Sequence, residues 1–210
     1  MSAASSSFKE QGVSFQPVST FEDEIAKFYG AKYAVATDCC THAIELCLRY
    51  VKADNILIPT RTYISVPFTA IKLGLSWKWD NSRWHEYYQI GNTNIIDAAV
   101  LWRENSYIPD TLMCLSFQYR KHLSLGRGGM ILTDCEESAR ALKRMSYDGR
   151  EPHFPWRTQD IKELGYHYYM TPETAQQGLD ELEDAKERTP ISWVWNDWPD
   201  LREMSVFREL

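Results

Sequence analysis

Little in the chain marks it for several common classes of protein. Its 210 residues include five cysteines, Cys39, Cys40, Cys47, Cys114 and Cys135, which form no CxxC pair and no zinc-ligand spacing. Free thiols in a reducing compartment are the expectation, with no metal. A basic surplus is also absent. The net charge of −6 argues against nucleic acid as the main partner, because nothing neutralises its phosphates. Met1-Ser-Ala-Ala-Ser-Ser-Ser has neither the basic nor the apolar region of a signal peptide. No apolar run approaches the length of a membrane span, so a cytoplasmic protein without a membrane partner is expected. There is no internal repeat, and low complexity is confined to the serine-rich start.

What is present suits a globular domain: 44% hydrophobic and 25% charged residues, enough for one real core. Aromatic residues, 13% of the chain, cluster at Trp84–Tyr88, Tyr166–Tyr169 and Trp193–Trp198. The expected organisation is a flexible segment 1–18, an α/β domain 19–190 and a short aromatic-rich tail 191–210. Ser19-Thr-Phe-Glu reads as a capping box, followed by Phe21, Ile25 and Phe28 at helical spacing up to Gly30. Further helices are predicted from Thr41, over Ser65–Leu73, over Glu136–Tyr147 and from Thr171-Pro172. Apolar strands are predicted at Lys32–Thr37, Asn55–Ile58, Asn94–Asp97, Leu112–Phe117 and Met130–Thr133. Alternating strands and helices give an α/β class with a mostly parallel sheet flanked by helices.

Five stretches carry chemistry. The strongest is Cys114-Leu-Ser-Phe-Gln-Tyr-Arg-Lys121-His-Leu-Ser-Leu-Gly126-Arg-Gly128-Gly129, a buried strand, a loop lysine and a glycine cluster. An amine fixed by a strand end can act as a nucleophile once it loses its proton, and the glycines let the chain pass close to a bulky group. Alone, such a lysine is far more often a solvated loop residue. Thr37-Asp38-Cys39-Cys40-Thr41 turns a strand into a helix start, whose free amides suit an anion. Pro59-Thr-Arg-Thr62-Tyr63-Ile-Ser65 offers an aromatic face, or simply a core tyrosine. Asn94-Ile-Ile-Asp97-Ala98-Ala99 ends an apolar strand on a carboxylate, which is also what a turn cap looks like. Gly165-Tyr-His167-Tyr-Tyr169-Met170 is polar and aromatic, and by itself equally an aromatic cluster.

In this order and spacing the five stretches resemble the DegT/DnrJ/EryC1/StrS family of fold-type I, pyridoxal-phosphate-dependent sugar aminotransferases. The resemblance implies the family's large-domain fold over residues 19–190 and pyridoxal 5'-phosphate as cofactor. Lys121 falls on the Schiff-base lysine, and Asp97 on the acid that pairs with the ring nitrogen. Tyr63 falls on the aromatic that stacks on the ring, and Cys40, Thr41 and Ser116 on the phosphate contacts. His167 stands where an asparagine reaches the phosphate of a partner subunit, which implies a homodimer. The implied substrates are a nucleotide-linked keto-sugar and an amino-acid donor, glutamate. Departures are Cys40 for glycine, Val100 for a polar residue, and Tyr169 for arginine. Relative to the family the chain is shortened between Asp80 and Asp97 and after about residue 185. Trp193-Val-Trp195-Asn-Asp-Trp198 has no counterpart, and is expected to cover core surface or to face a second subunit. These departures leave a second reading open: a relic of the fold that serves as a binding or interaction protein.

Overall fold

The computed structural model describes residues 15–152 and 154–208. Helix α1 (Gln16–Tyr29) leads into strand β1 (Tyr33–Thr37), helix α2 (Cys40–Tyr50), strand β2 (Asn55–Pro59), helix α3 (Ser65–Leu73) and strand β3 (Ser76–Asp80). Strands β4 (Tyr88–Gln89), β5 (Ile95–Asp97), β6 (Leu112–Ser116) and β7 (Gly129–Thr133) follow, then helices α4 (Glu136–Ser146), α5 (Pro172–Glu187) and α6 (Ser205–Arg208). The expected α/β class holds. Among the described residues, no helix is long and apolar enough to cross a membrane.

The expectation of a mostly parallel sheet needs correction. Among the described residues the main sheet has the order β1-β7-β6-β5-β4, and only β5 and β6 pair in parallel. Strand β7 turns back from the lysine loop and inserts between β1 and β6, so both of its pairings are antiparallel. Strands β1, β5 and β6 still run in one direction, and their carboxyl ends share one edge. Strands β2 and β3 form a separate parallel pair.

Residues of the central strands alternate between two cores, as period-two geometry requires. Met113, Leu115, Met130 and Leu132 face α1 and α5, where they meet Phe21, Ile25 and Leu182. Leu112, Cys114 and Ile131 face α2 and α4, among Ile44, Cys47, Leu48 and Leu142. Thr171 caps α5 as its sequence indicates, its hydroxyl accepting from the Thr174 amide at 3.4 Å. Ser19 does not cap α1: the helix starts at Gln16 with Pro17 in its first turn, which places Ser19 inside it. The expected loose segment 1–18 therefore overlaps α1; its residues 1–14 lie outside the described residues.

Strands β3 and β4 have no apolar run to announce them. β3 alternates exposed residues with Trp77 and Trp79, and β4 has only two residues. The segment 191–208 takes the first of the two places expected for it and covers core surface. Val194 bridges His85, the Trp195 amide donates to the Trp84 carbonyl at 3.0 Å, and the Leu201 amide donates to the Thr60 carbonyl at 2.8 Å. Phe207 then packs at 5.4 Å from Trp79 and 5.5 Å from Phe68, ring centre to ring centre.

One backbone contact sets how α2 meets the sheet. A Cβ at Gly129 would lie 2.4 Å from the carbonyl carbon of Cys39 and 2.5 Å from the amide nitrogen of Cys40. Gly129→Ala must therefore push β7 away from the start of α2. We expect a loss of about 1–3 kcal/mol of stability, read as a lower urea midpoint. An unchanged midpoint would show that the strand yields freely.

Candidate active site

The carboxyl ends of β1, β5 and β6 bring three chemical groups to one edge, the usual location of ligands in α/β sheets. Lys121 follows β6 on a loop held by short backbone bonds: its own amide donates to Gln118 at 2.7 Å, and Phe117 donates to Gly128 at 2.9 Å. Gly126 turns the loop with φ +73°, a conformation other residues rarely adopt. Burial lowers the Lys121 amine from its ordinary value, while Cys40 and Asp97 pull it back up. The amine makes no ion pair among the described residues. An amine so placed gives up its proton more readily than a surface lysine does.

Asp97 closes β5 and is buried. Burial raises its carboxyl above the ordinary carboxylate range, while the Tyr88 hydroxyl, the Ala99 amide and the Lys121 charge act to lower it. The hydroxyl reaches Oδ2 at 2.5 Å and the amide reaches Oδ1 at 3.0 Å. The Ala99 contact is the turn cap anticipated as the plain reading of this aspartate. It uses one oxygen, and a carboxylate accepts about four hydrogen bonds, so Asp97 keeps room for a further donor.

At the start of α2 the amides of Cys40, Thr41 and His42 belong to the first turn, where helix geometry supplies no acceptor. Cys39, at the cap, makes no side-chain cap bond. The charges of Asp97 and Lys121 both act on the buried Cys40 thiol, which burial raises well above its ordinary value. Thr41 Oγ1 pairs with Ser65 Oγ at 2.8 Å, and Ser116 Oγ accepts weakly from the Gln118 amide at 3.4 Å. Arg127 bonds Asp38 at 2.7 Å beside this helix start. The donor set fits an aldehyde with a phosphate and a basic ring nitrogen: an amine, first-turn amides with hydroxyls, and a buried carboxylate. Lys121, Cys40, Thr41, Ser116 and Asp97 are the residues able to hold it.

One expected residue stands apart. His167 is exposed, its Nδ1 3.0 Å from Asp148 and its ring 4.6 Å from Tyr169. Its partners lie beyond α4 and not on the lysine loop. Tyr169 joins an aromatic group with Phe15 and Tyr147. Tyr63 is half exposed, and the ring 6.1 Å from it is the indole of Trp198. Val100 lines the cavity beside Lys121 together with Ser116 and Trp193, so this departure lies within the site.

Sequence reasoning missed Tyr88, Thr62 and Trp198. The two aromatics were visible only as members of clusters, and Thr62 only as the neighbour of Tyr63. Trp198 comes from the closing segment, held by Arg61, whose guanidinium donates to its carbonyl at 2.6 Å. The indole centre lies 5.8 Å from the Lys121 ammonium nitrogen. The cavity beside Lys121 measures about 60 Å³, against a few hundred for a typical small-molecule site. A ring-sized guest there requires the cavity to widen, and from the closing segment Ile191 and Trp193 are among its walls. Among the described residues the buried Nε1 of Trp198 has no hydrogen-bond partner, an arrangement that costs about 1–3 kcal/mol and makes the indole beside Lys121 easier to move.

The architecture defines an α/β protein with a buried amine and a buried carboxylate beside a helix start suited to an anion. The model of the DegT/DnrJ/EryC1/StrS aminotransferase family matches residues 4–77 and 109–190, and the chain belongs to that family. Asp97, Tyr88 and Trp198 fall outside the matched stretches; Lys121, Cys40, Thr41, Tyr63, Ser116 and His167 fall inside. The dTDP-3-amino-3,4,6-trideoxy-alpha-D-glucose transaminase of Micromonospora megalomicea subsp. nigra is 26% identical over 140 residues, covering 64% of this chain and 36% of its own length. AtS13 of Actinomadura melliaura superposes with a TM-score of 0.69 at 19% identity, over 82% of this chain and 61% of its own. Spr1654 of Streptococcus pneumoniae, in its PLP form, gives 0.66 at 16%, over 81% and 59%. The chain thus spans about a third of the curated relative and about three-fifths of the solved chains.

Two outcomes follow from this geometry. Trp198→Ala should speed modification of Lys121 by an amine reagent several-fold in cofactor-free protein, read by peptide mass mapping; an unchanged rate would show that the indole does not shield the amine. The second concerns His42, 2.6 Å from Asp38 and stacked 3.7 Å from Tyr168. Burial opposes its charge, but the bond to Asp38 raises it to about 9 from 6.5. A raised value stabilises the fold fully below about 6.5 and loses that contribution as pH rises through about 9. His42→Gln should therefore lower the unfolding midpoint at pH 6 and much less at pH 10. A difference that does not vary with pH would remove the ion pair from the account.

Proposed function

We propose that the chain carries a pyridoxal-phosphate-dependent aminotransferase site that moves an amino group, with glutamate as donor, to a nucleotide-linked keto-sugar. The observation that carries this reading is the convergence of Lys121, Asp97 and the first turn of α2 at one sheet edge. Bound pyridoxal 5'-phosphate would supply an aldehyde and an electron-withdrawing ring. Lys121 is the amine for that aldehyde and the group that holds or releases a proton at Nζ. Asp97 offers a fixed negative charge to the ring nitrogen, and Tyr63 an aromatic face. The helix start, with Cys40, Thr41 and Ser116, takes the phosphate. The names of the relatives support a sugar as substrate class: the Micromonospora protein is a transaminase of a dTDP-linked amino sugar.

We further propose a homodimer in which His167 reaches the partner's phosphate, a reading supported by the exposure of its side chain. The five free thiols accord with a cytoplasmic setting. A second reading, a binding or interaction protein without turnover, draws on Trp198 beside Lys121 and on the small cavity there.

Added pyridoxal phosphate should turn the purified protein yellow, with a visible band that disappears on borohydride reduction and does not form in Lys121→Ala. Asp97→Asn should keep the cofactor but slow amine transfer from glutamate by about two to three orders of magnitude, the scale seen when one electrostatic partner is removed. A colourless protein at saturating cofactor would favour the second reading.

A further inference from the structure

Tyr88 belongs to the stretch between the two family-matched segments, and the resemblance gives it no role. Strand β4 pairs antiparallel with β5 and sets Tyr88 directly opposite Asp97. Its hydroxyl donates to Asp97 Oδ2 at 2.5 Å, and Thr62 Oγ1 lies 2.5 Å from the same hydroxyl. A phenol has one proton. With that proton donated in the hydrogen bond to the carboxylate, Thr62 must donate into the phenol oxygen. The direction of the chain is thereby fixed: Thr62 to Tyr88 to Asp97. All three residues are buried, and Trp84 packs against Tyr88 with ring centres 5.4 Å apart. Trp84 is in turn held by its Nε1 bond to the Arg61 carbonyl at 2.7 Å, one residue before Thr62.

We infer that Tyr88 is the positioning residue of Asp97: with Thr62 behind it, it holds the buried carboxylate ionised and fixed in orientation. The inference rests on the reading of Asp97 and Lys121 as the two poles of the site. A buried carboxylate stays charged only if donors replace the water it has lost. The backbone supplies one donor, from Ala99, and Tyr88 supplies the other. The remaining titratable groups that act on Asp97, or on which it acts, are Lys121, Cys40 on α2 and Cys114 on β6. Burial pushes both thiols up, so they stay neutral, and Lys121 is the opposite charge that remains. Hydrogen bonds in a chain polarise one another, so Thr62 strengthens the bond that Tyr88 makes.

The test is the titration of Asp97 by carbon-13 NMR in cofactor-free protein labelled at the aspartate carboxyl, the resonance being assigned with Asp97→Asn. Tyr88→Phe keeps the ring and removes the donor, and should raise the proton affinity of Asp97 about tenfold or more. Thr62→Val keeps the Tyr88 bond but removes the donor behind it, and should shift the titration the same way by less. A residue that only packed would lower the unfolding midpoint and leave the titration where it was. An unchanged Asp97 titration in folded Tyr88→Phe overturns the inference. If that variant does not fold, an unchanged titration in Thr62→Val does so. Uptake of pyridoxal phosphate by the unmodified protein is measured separately. Should it fail while the Asp97 shift is present, the aminotransferase reading falls and the role of Tyr88 stands.

Discussion

The site depends on a close approach of two backbones. Strand β7 begins at Gly129, pressed against the peptide that joins Cys39 to Cys40, where a side-chain carbon has no space. Gly129 is paired with Thr37 of β1 on one side and with Ser116 of β6 on the other. This single residue therefore sets the distance between the first turn of α2 and the strand from which the lysine loop departs. A wider gap would move the free amides of α2 away from Lys121, whatever side chains surrounded them. The reversed direction of β7 follows from the same arrangement, since the loop must return beside the strand it left.

Around that contact the structure removes both an amine and a carboxylate from water. Desolvation pushes the two in opposite directions, each toward its neutral form. Their mutual attraction and the donors on Asp97 oppose this, and the balance is what gives a group at such an edge a useful proton affinity. The closing segment completes the enclosure. It is tied by backbone bonds to Thr60, Trp84 and Glu86, and it brings an indole to the lysine. In this fold a wall over the site thus comes from a stretch of chain that the family model does not match.

Much of this was legible in the residues. The lysine block, the helix start at Cys40 and the helix at Pro172 carry their own local chemistry: glycines where the chain turns, an apolar run before the loop, a threonine cap before proline. Local signals fail where a role depends on a partner remote in sequence. Ser19 looked like a cap because the spacing suited one, but Pro17 is better placed to start the helix. Tyr88 sits in a two-residue strand with no pattern to read, and its meaning comes wholly from lying opposite Asp97.

The sequence by itself determined the class of fold, most of its helices and strands, the family, and the candidate amine, carboxylate and helix start, because each depends on residues near one another along the chain. Tertiary structure alone decided the direction of β7, the Tyr88 donor to Asp97 and the placement of Trp198 over Lys121. Strand pairing, burial and side-chain contact join positions tens of residues apart. Thr62 and Tyr88 are separated by 26 residues, and Arg61 and Trp198 by 137, yet each pair shares one hydrogen bond.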